Sequence, residues 1–322
     1  MLNQLLWISD EQVASTLTCE MAFDAVKRGL VAHADGLFVM PPKIYTRPGG
    51  REREFEQGRH IAMPAWVGGS VNAVGLKWIS SVPINVERGL PRASGLVVLN
   101  DVVTGVPVSV MDCATLSARR TGAVAAIAWD YLGMAYDTVA IVGCGPINRE
   151  VVMALNAVNK PIRQFRVFDL DPVRADHFCR SMIGRLKCEI CVSPSLIACL
   201  AGATAVVTAT TGAKGYIEAE WVKDARLIIP LSLDDFQAET LLSADKIIVD
   251  DFEQCAREEK LFHHVVRDGR LSRDGIYAQL GEIVAGYKTG RTGEETIYVN
   301  CMGLAVEDIA VAKAVYDRVN AG

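Results

Sequence analysis

The stretch from Thr138 to Asp169 constrains the fold of this chain more than any other part of the sequence. It begins with a short apolar run over residues 138–142 that is rich in β-branched residues, which is typical of a strand buried on both faces. A glycine-containing turn, a helical pattern and a second apolar run over 165–168 follow, and the last run ends at Asp169. This order of strand, turn, helix, strand and acid predicts part of a parallel, doubly wound sheet.

The turn Gly143-Cys144-Gly145 has the spacing of a dinucleotide-binding loop. Gly143 allows the tight turn, Gly145 lets the backbone approach a pyrophosphate, and the helix N-terminus offers N–H groups to that anion. Asp169 lies about 20 residues further on, where a carboxylate binds ribose hydroxyls and repels a 2′-phosphate, so NAD is predicted rather than NADP. Asn148 departs from the usual Gly or Ala, which predicts looser packing of helix on strand. The alternative is a structural turn in an ordinary α/β sheet.

Composition restricts the class of protein. The 322 residues allow two domains, half of them are apolar, and the net charge is −5. No basic patch interleaved with aromatics predicts nucleic-acid binding, no apolar run has membrane-spanning length, and the N-terminus lacks signal-peptide features. The nine cysteines, mostly in apolar runs, indicate reduced thiols in a cytoplasmic protein. Neither Cys188-Glu-Ile-Cys191 nor the five histidines have convincing ligand spacing, so no metal site is predicted.

The first third of the chain predicts an α+β domain. Ser9 begins a short helix, a second helix covers 18–33, and turn chemistry over 100–105 predicts a hairpin. Strands of an antiparallel sheet are expected at 61–67, 74–80, 95–99 and 108–111.

The remainder predicts a Rossmann-type domain, reached through a helix over 116–132. Alternation of strands and helices indicates a doubly wound parallel sheet, with strands at 138–142, 165–169, 187–191, 204–209, 226–230 and 246–249. Residues 279–291 are expected to form a polar return, and 303–319 an amphipathic helix that packs on the first domain. The predicted fold class is therefore α/β with an added α+β domain. The predicted domains are 1–120 with 303–322, and 121–302.

Three basic side chains interrupt apolar or glycine-rich surroundings in the first domain. Period-two alternation places Lys77 on one strand face and Trp78 on the other, so Lys77 points either into a cavity or into solvent. Arg92 could bind an anion or bridge a turn. Of Arg119 and Arg120, only one can point at a cleft between the domains.

The carboxyl ends of the parallel strands supply the other candidates, because ligands of doubly wound sheets bind there. Thr208 and Thr210 end one strand with small hydroxyl side chains that let a cofactor lie close. Asp234 and Asp235 end the next strand, where an aspartate can act as a general base. The alternative for this acid pair is an N-cap on a helix that begins near Ala238.

At these residues the chain resembles the ornithine cyclodeaminase/mu-crystallin family. The shared motifs are Met63-Pro64, Gly75-Leu-Lys-Trp, Gly89-Leu-Pro, Asn100-Asp-Val-Val-Thr-Gly, Ser117-Ala-Arg-Arg-Thr and Gly303-Leu-Ala-Val-Glu-Asp. Further motifs resemble the dehydrogenases of 2,3-diaminopropionate pathways within that family: Arg92-Ala-Ser-Gly, Val249-Asp-Asp-Phe-Glu-Gln-Cys-Ala-Arg-Glu and Gln279-Leu-Gly-Glu-Ile-Val-Ala-Gly. The resemblance covers nearly the whole chain.

The resemblance implies an N-terminal domain for substrate binding and dimerisation, completed by the C-terminal helix, and a Rossmann domain that binds NAD. It implies a catalytic Lys77 and an acid at Asp235, or at Asp234 in the cyclodeaminase register. Substrate would be bound by Arg47, Lys77, Arg92 and Arg120. Cofactor would be bound by Arg120, Thr121, Gly143, Gly145, Pro146, Ile147, Asn148, Asp169, Thr208, Thr210, Ser232, Met302 and Gly303.

The reaction implied by the resemblance is NAD-dependent oxidative cleavage of N-(2-amino-2-carboxyethyl)-L-glutamate. Its products would be 2-oxoglutarate and L-2,3-diaminopropionate, the latter for siderophore or peptide natural-product biosynthesis. A lysine and an aspartate in one desolvated cleft would perturb each other's pKa, as such chemistry requires. Cyclodeaminases have Pro-Gly-Lys after the acid, which Phe236-Gln-Ala-Glu lacks, so ornithine cyclisation is disfavoured. The alternatives are a cyclodeaminase or ketimine reductase, and a non-enzymatic binding protein like mu-crystallin.

Overall fold

The computed structural model describes residues 5–135, 137–212 and 214–321. The prediction that the N-terminus is no signal peptide concerns, in part, residues 1–4, which lie outside the described residues. The strands, in chain order, are β1 (Leu6–Ile8), β2 (Phe38–Val39), β3 (Ile44–Thr46), β4 (Arg59–Val67), β5 (Ala73–Ser81), β6 (Ala93–Asn100), β7 (Pro107–Asp112), β8 (Asp137–Val142), β9 (Ile162–Phe168), β10 (Glu189–Val192), β11 (Ala205–Thr208), β12 (Leu227–Pro230), β13 (Lys246–Val249), β14 (Ala278–Gln279) and β15 (Ile297–Asn300).

The α-helices follow the same order: α1 (Asp10–Thr16), α2 (Cys19–Ala34), α3 (Glu54–Gln57), α4 (Ala114–Leu132), α5 (Pro146–Ala157), α6 (Pro172–Met182), α7 (Leu196–Leu200), α8 (Ala238–Leu242), α9 (Phe252–Arg257), α10 (Leu261–Arg267), α11 (Leu280–Val284) and α12 (Ala305–Asn320). These elements fall into two compact units. The first extends to Arg120 and resumes at Leu304, and the second spans Thr121–Gly303. No helix among the described residues is long and apolar enough to cross a membrane.

The first unit is built on a sheet of order β1-β7-β6-β5-β4-β2, with β3 also paired to β4. The four predicted strands are confirmed as β4 to β7, and they pair antiparallel. Three short strands were not predicted, because β1, β2 and β3 span only two or three residues, which is too short for a strand pattern to be recognised. Helix α12 packs on β4, β5 and α2, which confirms the predicted position of the closing helix.

The register of this sheet determines where Lys77 points. Lys77 lies opposite Met63 on β4 and Val97 on β6, and all three side chains are buried. The next residue, Trp78, is 40% exposed on the other face. The predicted alternation is therefore confirmed, and Lys77 belongs to the buried face rather than the solvated one.

The second unit is a parallel sheet of order β10-β9-β8-β11-β12-β15-β13-β14. The predicted α/β class and doubly wound sheet are confirmed, and the six predicted strands are all present. The order reverses between β8 and β11, so the carboxyl ends of these two strands flank the position where doubly wound sheets bind ligands.

Two predictions for the C-terminal third were wrong in part. The return expected over 279–291 contains helix α11, whose Leu280 and Ile283 are buried. Its polar residues form a capping box between Gln279 and Glu282 rather than a loop. Helix α12 is not simply amphipathic, because every residue from Ala305 to Ala312 is buried.

Candidate functional site

The glycine turn between β8 and α5 has the geometry that a dinucleotide requires. Gly143 has φ +94°, and a Cβ there would lie 2.5 Å from the carbonyl oxygen of Ala209, which follows β11. Only glycine fits both conditions. Gly145 is the N-cap of α5, has no side-chain cap in the described structure, and has open space where a Cβ would stand. The first N–H groups of α5 are thus available to an anion such as a pyrophosphate.

Asp169 lies beside this turn, directly after β9. One carboxylate oxygen accepts the Cys144 N–H at 2.7 Å, and the other accepts the Asp171 N–H at 2.9 Å. Arg174 approaches at 4.0 Å but is half exposed, so its ion pair with Asp169 is weak. An acid held here by backbone donors is well placed for ribose hydroxyls.

Asn148 holds the turn from within. Its side chain is fully buried, and its Nδ2 donates to the carbonyl oxygens of Val142 (2.9 Å) and Gly143 (2.7 Å). The buried amide joins helix to strand through hydrogen bonds where the usual fingerprint has a small residue. The side chain of Asn148 therefore faces the interior and supports the turn rather than lining its surface.

Other predicted cofactor residues of the second unit lie on several different elements. Pro146 and Ile147 form the first turn of α5, and Ile147 is 38% exposed. Gly303 donates its N–H to Asp250 at 2.6 Å. Thr121 lies within α4, and Met302 is a partly buried residue of the segment that follows β15 in the sequence.

Asp235 is the centre of a hydroxyl cluster at the carboxyl ends of β11 and β12. One of its oxygens accepts from Thr210 at 2.5 Å and from Tyr216 at 3.0 Å. The other accepts from Thr208 at 2.6 Å and from Ser232. The carboxylate is 2% exposed and is solvated by four side-chain O–H donors. The alternative that Asp235 caps α8 is wrong, because the N-cap of α8 is Gln237.

Tyr216 was missed by the sequence reasoning. Burial, together with the adjacent Asp235 charge, raises the pKa of the Tyr216 hydroxyl, so this group remains a donor. The residue lies in an irregular loop, and no local pattern distinguishes it from a tyrosine of the core. Tyr216 becomes a candidate site residue only through its hydrogen bond to Asp235.

The backbone next to Asp235 is strained. Leu233 has φ +74° although it is not glycine, and its side chain is buried. Such a conformation costs about 1–3 kcal/mol and persists where the surrounding structure enforces it. The strain lets this short loop orient Ser232 and Asp235 toward the same hydroxyl cluster.

Asp234 faces a different set of partners. Its oxygens accept from the ammonium of Lys260 at 2.7 Å and from the N–H of Leu261 at 2.8 Å. These contacts attach the loop after β12 to the start of α10. The structure therefore gives the two adjacent acids different roles, with Asp234 in a structural ion pair and Asp235 among hydroxyls.

In the first unit, Lys77 belongs to a buried cluster of four charged side chains. Its ammonium lies 2.7 Å from Asp308, and Arg120 contacts both Asp308 (2.9 Å) and Glu307 (3.2 Å). The two acids come from α12 and are fully buried, and Lys77 is 1% exposed. Two cations and two anions are thereby removed from water together, which is tolerable only because each is paired. Sequence reasoning had assigned neither acid a role.

The electrostatics of Lys77 follow from this environment. Burial lowers the pKa of Lys77 to about 8, and Asp308 opposes that effect. Burial would raise the pKa of Asp308, but the charges of Arg120 and Lys77 outweigh burial and lower it below its ordinary value. Lys77 therefore loses its proton at a lower pH than an exposed lysine does, near pH 8.

The other predicted arginines occupy separate positions. Arg119 donates to the carbonyl oxygens of Ala14 (2.7 Å) and Leu17 at the end of α1, so Arg120 is the arginine that reaches the charged cluster. Arg47 pairs with Glu54 at 2.8 Å. Arg92 lies immediately before β6, where burial lowers the pKa of its guanidinium group.

Comparison with known proteins agrees with these observations. The sequence profile described as "Ornithine cyclodeaminase/mu-crystallin family" matches residues 5–322. The N-((2S)-2-amino-2-carboxyethyl)-L-glutamate dehydrogenase of Staphylococcus aureus is 33% identical over 96% of this chain and 93% of its own.

Two solved structures superpose over nearly the full length. A Thermococcus litoralis Δ1-pyrroline-2-carboxylate reductase in complex with NADH and L-proline gives a TM-score of 0.90 at 25% identity, covering 98% of both chains. An archaeal alanine dehydrogenase dimer with bound NAD gives 0.85 at 31% identity, covering 98% of this chain and 96% of its own. The glycine turn, the buried Lys77 and the full-length profile match lead to one conclusion: this chain belongs to the ornithine cyclodeaminase/mu-crystallin family.

Proposed function

We propose that this chain is an NAD-dependent dehydrogenase that oxidises N-(2-amino-2-carboxyethyl)-L-glutamate and releases 2-oxoglutarate and L-2,3-diaminopropionate. The observation that carries the proposal is a buried pair of cations, Lys77 and Arg120, in a chain that also has a dinucleotide turn. Oxidation of an amino acid needs a group to hold its carboxylate and a site for a hydride acceptor. The similarity to the S. aureus dehydrogenase of that substrate supports this choice within the family.

NAD fits the second unit. The open N-terminus of α5 and the free space at Gly145 suit a pyrophosphate, and Asp169 suits ribose hydroxyls while disfavouring a 2′-phosphate. When bound, NAD would supply the hydride acceptor. The residues proposed to hold it are Arg120, Thr121, Gly143, Gly145, Pro146, Ile147, Asn148, Asp169, Thr208, Thr210, Ser232, Met302 and Gly303.

The proposed reaction leaves the protein with two tasks. Lys77 and Arg120 would bind the α-carboxylate of the glutamate part, which orients the Cα that is oxidised. Asp235 would accept the proton of the secondary amine, and later that of the attacking water. Oxidation gives an imine between 2-oxoglutarate and diaminopropionate. Water then supplies the keto oxygen of one product and two hydrogens of the released amine of the other.

We assign the acid–base role to Asp235 rather than Asp234. Four hydroxyl groups donate hydrogen bonds to Asp235. A substrate or a water molecule can replace one of these hydroxyl groups without breaking an ion pair. Asp234 is committed to Lys260 and to the N–H of Leu261. A role for Asp234 would first require that ion pair to open.

A second candidate is reduction of a cyclic ketimine, because the T. litoralis pyrroline-2-carboxylate reductase superposes with a TM-score of 0.90. Both reactions use a carboxylate site and a nicotinamide cofactor, so the fold alone does not separate them. Cyclodeamination of ornithine is less well supported, since Phe236-Gln-Ala-Glu follows the acid in place of the Pro-Gly-Lys of cyclodeaminases. A non-enzymatic role like that of mu-crystallin would leave the buried charges without a chemical task.

A panel of substrates tests the proposal. The purified protein is incubated with NAD and, separately, with the glutamate conjugate, L-alanine, L-proline or L-ornithine, and NADH formation is followed. We expect the conjugate to have the highest kcat/KM. A higher value for alanine or proline would replace the proposed substrate and keep the dehydrogenase class.

A further inference from the structure

A group of three arginines in the first unit has more positive charge than its acidic partner neutralises. The arginine cluster consists of Arg47, Arg59 and Arg92, and Glu54 lies within it. Arg47 Nε is 2.8 Å from one Glu54 oxygen, and Arg59 Nη1 is 3.4 Å from the other. Ser81 on β5 pairs with Arg59 on one side and with Ala93 on the other, so Arg92 and Arg59 lie two strands apart at the same end of the sheet. Burial, with the positive charge of Arg59 nearby, lowers the pKa of Arg92. Arg47 and Arg59 thus share the Glu54 carboxylate, and the guanidinium group of Arg92 lies at the same end of the sheet.

Two donors in this cluster lack an acceptor. The Nε atoms of Arg59 and Arg92 are buried and have no hydrogen-bond partner among the described residues. A buried, charged donor without a partner is costly, and a bound ion, a bound water molecule or a functional role can account for such a group in a native protein. Planar guanidinium groups with free donors suit a carboxylate, which can accept two parallel hydrogen bonds.

The aromatic ring of Tyr45 holds two members of the cluster in place. The guanidinium carbon of Arg47 lies 4.6 Å from the ring centroid and that of Arg59 lies 5.9 Å from it. Stacking of this kind fixes the planes of the guanidinium groups while their edges remain available to an anion. The side chains of Arg47 and Arg59 are 15% and 26% exposed, so a small solute can reach them.

Arg59 of the cluster and Lys77 lie on the same face of one sheet. Arg59 is opposite Ser81 on β5, so these two side chains lie on the same side of the sheet. Lys77 precedes Ser81 by four residues, an even number, and its side chain therefore lies on that side as well. Four residues of a strand span about 13 Å, and the long side chains of lysine and arginine shorten the gap between their charged ends. One extended small molecule can therefore contact both.

We propose that the arginine cluster binds a second carboxylate of the substrate, remote from the one held by Lys77 and Arg120. Arg59 is then a specificity-determining residue, and the preferred substrate class is an amino acid or oxo acid with at least two carboxylates. This inference rests on the proposed function, in which Lys77 and Arg120 bind the first carboxylate. It explains how one family fold could distinguish a glutamate derivative from alanine or proline.

The test is a binding measurement that needs no turnover. Calorimetry on the full-length protein with NADH compares 2-oxoglutarate with 2-oxopentanoate, which has a methyl group in place of the second carboxylate. We expect 2-oxoglutarate to bind at least about tenfold more tightly, the scale of one charge-assisted hydrogen bond. Arg59→Gln and Arg92→Gln should each remove most of this preference and leave 2-oxopentanoate unchanged. The matched control is Arg88→Gln, at an exposed arginine between β5 and β6, and this variant should keep the preference for 2-oxoglutarate.

Two further variants separate binding from folding. Glu54→Gln removes the competing carboxylate and should tighten 2-oxoglutarate binding several-fold, which loss of a structural ion pair would not do. Arg59→Lys keeps the charge and should retain part of the preference if Arg59→Gln fails to fold. Equal affinity of the wild-type protein for the two oxo acids, or no binding of either, overturns the inference, as does equal weakening of both by Arg59→Gln. Failure to cleave the glutamate conjugate, with the dicarboxylate preference intact, would instead overturn the proposed function.

Discussion

Single residues set the chemistry of the first unit, and Lys77 gives the first prediction. Burial lowers its pKa to about 8, and the ionisable groups near it are Asp308, Arg120 and the thiol of Cys113. If the ammonium form binds the substrate carboxylate, kcat/KM should fall as pH rises through about 8, because the neutral amine loses its attraction. A pH profile of kcat/KM that stays flat to pH about 10 would contradict this role.

The substitution Asp308→Asn should shift the alkaline decrease of kcat/KM in a direction that the contacts of Asp308 determine. Asp308 raises the pKa of Lys77, so its removal should lower that pKa and shift the alkaline limb to lower pH. The variant also leaves Arg120 with one buried partner fewer, so its thermal stability should be lower. An unshifted limb in a folded Asp308→Asn protein would show that Lys77 is not the group that titrates.

The acid pair gives a third prediction at this scale. Asp235→Asn and Lys77→Met should each lower turnover by about 10²-fold or more while NAD binding stays nearly intact. Asp234→Asn should be much milder for turnover, because its partners are Lys260 and a backbone N–H. The reverse ranking of the two aspartates would support the cyclodeaminase register.

Individual functional residues were only partly predictable from the sequence. Lys77 could be found because alternation on a strand is local, and the register confirmed its inward face. Asp308 and Glu307 could not be found in the same way, since α12 meets β5 only after more than 200 residues of intervening chain. Acids on a closing helix resemble a solvated face until their partners are known.

At the scale of elements, substitutions at the two glycines of the turn between β8 and α5 should distinguish an effect on stability from an effect on cofactor binding. Gly143→Ala would force a side chain into a positive-φ conformation against Ala209, so it should cost at least about 1–3 kcal/mol of stability. Gly145→Ala meets open space and has an ordinary φ of −82°, so the melting temperature should hardly change.

Cofactor titration completes this comparison. Gly145→Ala should still weaken NADH binding by about tenfold or more, because a methyl group would stand where the pyrophosphate approaches. Unchanged NADH affinity in a stable Gly145→Ala protein would place the cofactor elsewhere.

Elements with strong local patterns were predicted well, and those that depend on distant pairing were not. The strands β8 and β11 are apolar runs with clear boundaries. Strand β15 has only four residues and inserts between β12 and β13, which are neighbours in the chain but not in the sheet. No local pattern predicts such an insertion, because β15 forms its hydrogen bonds with β12 and β13, which lie far from it in the sequence.

For the whole molecule, we propose a homodimer formed through the sheet of the first unit. Trp78 and Leu96 are cross-strand neighbours on the exposed face, and they are 40% and 36% exposed. Adjacent exposed apolar residues of this size commonly mark an interface. Light scattering at micromolar concentration should give the mass of two chains. Trp78→Asp should shift it toward one chain, whereas Ile183→Asp, at an exposed position of the second unit, should not. A monomeric wild-type mass would refute the proposal.

The central claim is oxidation at the glutamate Cα of the conjugate, and product identification tests it most directly. The purified protein is incubated with NAD and N-(2-amino-2-carboxyethyl)-L-glutamate, and the products are identified by mass. We expect 2-oxoglutarate, 2,3-diaminopropionate and NADH in equal amounts, and no proline from ornithine in a parallel reaction. Proline and ammonia from ornithine, with no cleavage of the conjugate, would contradict the proposed function.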